Sequence, residues 1–200
     1  MNNALLVRDN VFVTIARMAL PMLAGTFAMN AYHLADTWFV SRLGTNTLAA
    51  MSFTFPVVML ISFVVRGLGT GAMTVVAHSL GKGKHKTAAR ITTHAVFFSS
   101  GMAFCFLVAG LLTIDPLFTR LGAAGEVLEL IRQYMVIWYC GLIFRGLQVM
   151  FSDIIIGTGH TKAVSLLMVS GTVINCILDP AMIFGLWVFP KMGIGGAALA

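Results

Sequence analysis

Long apolar runs, separated by short polar connections, dominate the pattern along this chain. A helix needs about 20 apolar residues to cross a hydrocarbon core about 30 Å thick. Five runs are long enough, and a sixth apolar stretch starts near residue 193. The predicted spans cover about 11–40, 48–76, 91–114, 127–156 and 164–188. The pattern therefore predicts an all-α integral membrane protein with five complete spans and the start of a sixth.

Turn-forming residues are expected to end several of these spans. The third should stop at Asp115-Pro116, and the fifth should close at Phe189-Pro190, because proline interrupts helical hydrogen bonding. A GxxxG spacing from Gly67 to Gly71 predicts close approach of a neighbouring helix to the second span. The short connections favour antiparallel neighbours in a compact bundle.

The composition agrees with a membrane protein. Hydrophobic residues make up 58% of the chain and charged residues 10%, whereas soluble domains carry about 45–50% and 25%. The mean hydropathy is +0.92. These values exclude an ordinary soluble enzyme, a DNA-binding domain and a disordered chain.

The three cysteines lie far apart in apolar runs without zinc-ligand spacing. No GxSxG or HExxH motif is present, so we do not expect an enzyme.

The net charge of +6 reflects the orientation of the protein in the membrane rather than binding to nucleic acid. Lysine and arginine gather on the cytoplasmic side of membrane proteins. Counted over the loops and the N-terminus, one side of the predicted bundle carries six such residues and the other carries three: Arg8, Lys82, Lys84, Lys86, Arg90 and Lys162 against Arg42, Arg120 and Lys191. We therefore expect a cytoplasmic N-terminus, a lipid bilayer as the partner and no nucleic acid.

Two carboxylates inside apolar spans are the candidate functional groups. Asp36 follows Tyr32 by one helical turn, and Asp179 follows Asn175 in the same way. A carboxylate at mid-membrane costs about 2.5–3.5 kcal/mol, so such groups face the protein interior or a cavity. If the first and fifth spans are adjacent, these four side chains converge. Their hard oxygen ligands suit a small cation or a proton.

A structural role for the carboxylates is the alternative. Each could pair with Arg66 or Arg145, although these arginines could instead line a cavity. Asp153 lies close to the end of the fourth span, where solvation or pairing with Lys162 is expected.

Pro21 lies inside the first span, fifteen residues before Asp36. Its missing N–H removes a helical hydrogen bond to the carbonyl of Arg17 and favours a kink. In a static bundle this is a packing feature, whereas in a transporter it is a candidate hinge.

Four passages together resemble the multidrug and toxic compound extrusion (MATE) family of secondary transporters. The first-helix proline is followed by an Asp-Thr-x-Phe-Val-x-x-Leu-Gly ending, and a Leu-Gly-x-Gly loop follows the glycine-rich second helix. A Gly-x-Gly-x-Thr-Lys turn and an Asn-x-x-x-Asp-Pro-x-x-Ile-x-Gly fifth helix complete the set. Ile156 stands where this family usually has arginine before the Gly-x-Gly turn.

The resemblance implies twelve helices in two six-helix lobes. It also implies export of drugs or amphipathic organic cations from the cytoplasm, driven by sodium or proton entry and without another cofactor. Asp36, Asp179 and Asn175 match the family's coupling site, with Tyr32 beside it, and Pro21 matches the proline associated with first-helix bending. A parallel second lobe requires an even number of spans in the first. We therefore expect residues 1–200 to be an N-terminal lobe, with the C-terminal lobe as its partner in an inner membrane.

Two other functions stay open. One is export of a lipid-linked precursor by a member of the same superfamily, which would favour a larger and more basic cavity. The other is a non-transporting scaffold or channel subunit, in which the carboxylates only pair with arginine.

Overall fold

The protein is represented by a computed structural model that describes residues 11–186 and 189–199. Its regular structure within these ranges consists of six helices: α1 (Val11–Ser41), α2 (Thr45–Gly81), α3 (His85–Arg120), α4 (Gly125–Gly157), α5 (Thr161–Phe184) and α6 (Ile194–Leu199). The first five are long and apolar enough to cross a membrane, judged by length and composition. The prediction of an all-α membrane fold with five spans and the start of a sixth is confirmed.

Connections of three or four residues join the first five helices, so successive helices run in opposite directions. Glycine makes the tightest of these turns possible. Gly83, in the predicted Leu-Gly-x-Gly loop, has a φ of 71° and donates its N–H to the carbonyl of Leu80 at 2.9 Å. Side chains strongly disfavour this left-handed conformation, whereas glycine adopts it readily.

Two predicted helix ends are wrong. Pro116 lies inside α3, which continues to Arg120. Proline removes one helical hydrogen bond there, while the fully buried Phe118 anchors the last turn in the core. The fifth helix ends at Phe184 because Gly185 adopts a left-handed φ of 74°, a common helix terminator. The helix thus ends before Val188, where the sequence predicted its end. Val188 itself lies outside the described residues, as does Arg8, which contributed to the predicted orientation.

The helices pack in two groups. The main apolar core lies between α2, α3 and α4 and includes Ile61, Phe118 and Met135. The first helix packs chiefly against α5, and α6 packs against α4 and α5. Large apolar side chains such as Phe144 project outward from the bundle, where a membrane would supply lipid contacts.

One end of the bundle carries an exposed ion-pair network. Arg132 of α4 binds Asp115 of α3 through two hydrogen bonds of 2.8 and 3.2 Å, and it also contacts Glu129 at 3.3 Å. These groups are about half exposed, so their net contribution to stability is about 0–1 kcal/mol each. The network marks a polar end of the bundle.

Candidate functional site

Close packing between α1 and α5 positions the candidate site. A Cβ on Gly25 would lie 3.3 Å from the Sδ of Met168 and 3.5 Å from the Cα of Ser165. Farther along both helices, the rings of Phe39 and Phe184 meet edge to face with centroids 6.4 Å apart. The two helices therefore run side by side in the same direction, and the adjacency on which the predicted convergence depends is present.

Asp179 lies at the centre of this interface. Its side chain is fully buried, and neither carboxylate oxygen has a hydrogen-bond partner among the described residues. Tyr32 of α1 lies beside it and interacts electrostatically with both Asp179 and Asp36. One oxygen of Asp36 is also buried without a hydrogen-bond partner in the described ranges. The structure thus brings the two predicted carboxylates and the phenol together.

Asn175 completes the group from the α5 side. It precedes Asp179 by one turn and lies next to the hydroxyl of Tyr32. Because Pro180 has no N–H, the carbonyl of Cys176 lacks its usual helical donor. An amide, a phenol, two carboxylates and a spare carbonyl are the kinds of oxygen ligand that hold a proton or sodium ion.

A cavity of about 310 Å³ lies beside this group, between the α1–α5 pair and the α2–α4 pair. Tyr32 and Asn175 line it, whereas Asp36 and Asp179 do not. Two cations, Arg66 of α2 and Arg145 of α4, line it as well. Tyr32 and Asn175 therefore stand between the carboxylates and a space with two guanidinium groups.

The predicted alternative of carboxylate–arginine pairing does not hold for this group. Across residues 11–186 and 189–199, no ion pair within 4.0 Å joins Asp36 or Asp179 to Arg66 or Arg145. The two arginines line the cavity instead.

Asp153 differs from its prediction. Its side chain is only 6% exposed, and its Oδ2 has no hydrogen-bond partner in the described part of the chain. It packs directly on Gly69 of α2 and interacts electrostatically with Arg66 rather than with Lys162. The expectation of a solvated or Lys162-paired carboxylate is wrong, because α2 still packs against α4 at this level, through Gly69 against Asp153 and Met73 against Gly157.

The close helix contact predicted from the GxxxG motif occurs at Gly69, which lies between the two glycines of the motif. A Cβ on Gly67 or Gly71 would meet no described atom within 4 Å, whereas one on Gly69 would collide with Asp153. The close approach of α2 to α4 therefore occurs at Gly69.

Pro21 lies inside α1, as the sequence indicates, and is half-buried. It precedes Gly25, the point of close approach to α5, by one turn. A change in bend at Pro21 would therefore alter how the rest of α1, including Tyr32 and Asp36, lies against α5.

Sequence reasoning raised Arg145 as a cavity-lining residue but missed Gln148 and Ser152, which continue its polar face along α4. Arg145, Gln148 and Ser152 all line the cavity and are spaced three and four residues apart, as one helical face requires. This periodicity is visible in the sequence, but the apolar residues around it made α4 resemble an ordinary span.

Comparison with known proteins gives the family. The MatE family model matches residues 21–181. The chain belongs to the MatE family. The resemblance drawn from the four sequence passages is thereby confirmed, and the protein is a multi-pass membrane protein of a transporter family.

Individual MatE relatives agree with this assignment. A protein of Shewanella oneidensis named FAD transporter is 38% identical over 93% of this chain and 41% of its own length. The multidrug export protein MepA of Staphylococcus aureus is 25% identical over 96% of this chain and 42% of its own length. The chain thus spans about two fifths of the curated relatives that it matches.

Solved MatE structures share the fold. An outward-facing multidrug resistance MATE family transporter superposes with a TM-score of 0.90 at 30% identity, over 100% of this chain and 44% of that one. A MATE crystal structure in a straight conformation superposes with a TM-score of 0.91 at 31% identity, over 99% of this chain and 43% of that one.

Proposed function

We propose that residues 1–200 form the N-terminal lobe of a longer, cation-coupled antiporter that exports small organic molecules. The support is the MatE match together with relatives named as exporters and transporters, of which this chain covers about two fifths. The second lobe, the lipid bilayer and the exported molecule are then its partners. The location that fits is the inner membrane, with the N-terminus in the cytoplasm as the charge pattern indicates.

The observation that carries the proposal is the unpartnered carboxylate of Asp179. A buried carboxylate without hydrogen bonds is costly unless a proton or cation compensates it. Asp36, Tyr32 and Asn175 supply further oxygen atoms for that ion, either a proton or sodium. The ion is a transported substrate that moves in the direction opposite to the exported molecule, and no other cofactor is proposed.

Ion binding would be linked to movement of α1. Two ionised carboxylates near each other repel, and protonation or sodium binding removes that repulsion. Release of the ion would therefore favour a different packing of α1 against α5, with Pro21 absorbing the bend. The coupling ion can shift the equilibrium between the two packings of α1 only if it binds one of them more tightly than the other. A change in the distance between Asp36 and Asp179 would provide that difference in affinity.

The exported molecule has two candidate classes. The resemblance to multidrug exporters supports drugs or amphipathic organic cations. The relative named FAD transporter supports an anionic dinucleotide as a second candidate, and the specific observation that favours it is the pair of arginines in the cavity. A basic cavity also fits the lipid-linked precursor exporter. Uptake of radiolabelled FAD and of ethidium into inverted vesicles separates the first two classes.

The decisive experiment reconstitutes the complete transporter and varies the sodium and pH gradients independently. Asp36→Asn and Asp179→Asn should abolish gradient-driven efflux while leaving the amount of inserted protein unchanged. Asp115→Asn, which removes an exposed carboxylate outside the site, is the matched control and should retain efflux. Efflux at the wild-type rate by both site variants would overturn the coupling role. In a non-transporting scaffold, neither gradient would drive movement in the wild-type protein.

A further inference from the structure

Arg66 and Arg145 face one cavity at the same depth of the bundle. Arg66 lies 21 residues after the start of α2, and Arg145 lies 20 residues after the start of α4. These two helices run in the same direction, so both arginines lie about 30 Å along their helices at 1.5 Å per residue. Each also lies at least 12 residues before its helix ends. This depth separates both guanidinium groups from the head-group regions at either end.

The surroundings leave the two positive charges largely uncompensated. No described Asp or Glu lines the cavity, and no described carboxylate forms an ion pair with either arginine. Asp153 interacts with Arg66 from within the α2–α4 contact, and His33 and Tyr134 interact with Arg145. Tyr32 is a further titratable group that lines the cavity. An arginine within a membrane is costly unless it pairs or faces water or a ligand.

The neutral lining adds hydrogen-bonding groups at the same place. Gln148 and Ser152 follow Arg145 along the cavity face of α4, and Thr172 projects from α5. Guanidinium groups bind phosphate oxygens through paired, charge-assisted hydrogen bonds, and amide and hydroxyl groups satisfy the remaining oxygens. The volume of about 310 Å³ is at the lower end of small-molecule sites, so it would hold the charged part of a larger compound.

We infer that Arg66 and Arg145 form an anion-binding site for a phosphate group on the exported molecule. The inference rests on the proposed transport function and specifies its substrate class. Asp36 and Asp179 lie behind Tyr32 and Asn175, so the ion and the phosphate would occupy separate places in one lobe. The phosphate-bearing compound is either a water-soluble organic phosphate or a lipid-linked diphosphate.

The test measures equilibrium binding to the complete transporter in detergent, without any gradient. The probes are 4-methylumbelliferyl phosphate, the uncharged methyl ether of the same fluorophore (4-methylumbelliferone), and the cation ethidium. Arg66→Gln and Arg145→Gln should each weaken binding of the phosphate about tenfold or more and change binding of the methyl ether less than twofold. Arg66→Lys and Arg145→Lys should retain part of the phosphate affinity, and Arg120→Gln, outside the cavity, should have no effect.

Competition with farnesyl diphosphate distinguishes the two sources of phosphate. The two competitors, farnesyl diphosphate and inorganic diphosphate, are used at the same concentration. If only farnesyl diphosphate displaces the soluble probe, the site is assigned to a lipid-linked substrate. Displacement by both would assign it to soluble phosphates. Either result supports the anion site. Equal binding of the phosphate and its methyl ether, or tighter binding of ethidium with no loss in the arginine variants, would overturn it.

The coupling proposal and the anion-site proposal can be refuted independently of each other. Asp36→Asn should retain phosphate binding in detergent but lose gradient-driven transport in vesicles. Arginine-dependent phosphate binding without any gradient-driven transport by the wild-type protein would refute the antiporter and leave the anion site standing.

Discussion

A methyl group on Gly69 of α2 would occupy space that the carboxylate of Asp153 of α4 already fills. The pair sets the distance between two helices that also carry Arg66 and Arg145 into the cavity. Glycine at this position is therefore a packing requirement that affects the geometry of the candidate substrate site.

Gly69→Ala should destabilise the protein by about 1–3 kcal/mol, the usual cost of an overpacked contact. The measurement is the midpoint of thermal unfolding in detergent. Gly71→Ala on the same helix is the control, because a Cβ there meets no described atom within 4 Å. Adding Asp153→Ala to Gly69→Ala should recover part of the loss, which gives a non-additive double-mutant cycle. Equal midpoints for Gly69→Ala and Gly71→Ala would contradict this packing.

A second tight contact joins α3 and α4. A Cβ on Gly110 would collide with the ring of Tyr139, a buried residue of the main core. Gly110→Ala should therefore reduce the fraction of monodisperse protein after heating, measured by size-exclusion chromatography. Gly101→Ala, in open space on the same helix, should behave as the wild-type protein does. If Tyr139→Leu fails to relieve the defect of Gly110→Ala, the ring is not its cause.

Tyr32→Phe removes one hydroxyl between the carboxylates and the cavity. This hydroxyl is one of the oxygen atoms proposed to hold the coupling ion. An interaction of this kind with a charged group is worth about 1.5–3 kcal/mol, so its loss should weaken binding of the ion about tenfold. The expected result is a higher sodium or proton concentration for half-maximal efflux. The assay varies sodium at fixed pH and pH at fixed sodium. Tyr139→Phe, a tyrosine substitution outside the cavity, should leave both curves in place.

Pro21→Ala restores a helical N–H to the carbonyl of Arg17 and removes a preferred bending point. We expect unchanged or higher thermal stability together with an initial efflux rate lowered several-fold. Pro56→Ala is the matched control, because Pro56 also lies inside a membrane-spanning helix but is exposed and outside the cavity lining. Equal rates for Pro21→Ala and wild type would remove the hinge from the mechanism.

The sequence by itself determined the membrane class, the number of long helices and the residues of the candidate coupling group. These properties depend on local composition and on spacing along one helix. Twenty apolar residues predict a span wherever it packs, and the intervals from Tyr32 to Asp36 and from Asn175 to Asp179 place each pair on one helical face. The family resemblance rested on motifs of the same local kind.

Tertiary structure decided which helices meet and what fills the space between them. Proline at residue 116 predicted a helix end, but burial of Phe118 outweighs the loss of one hydrogen bond and keeps α3 helical. Gly67 and Gly71 satisfied a contact pattern, yet Gly69 makes the contact because of how α2 is rotated against α4. Whether Arg66 and Arg145 pair with carboxylates or line a cavity depended on the same rotation. Such outcomes follow from distances between residues far apart in the chain, which spacing along a single helix does not encode.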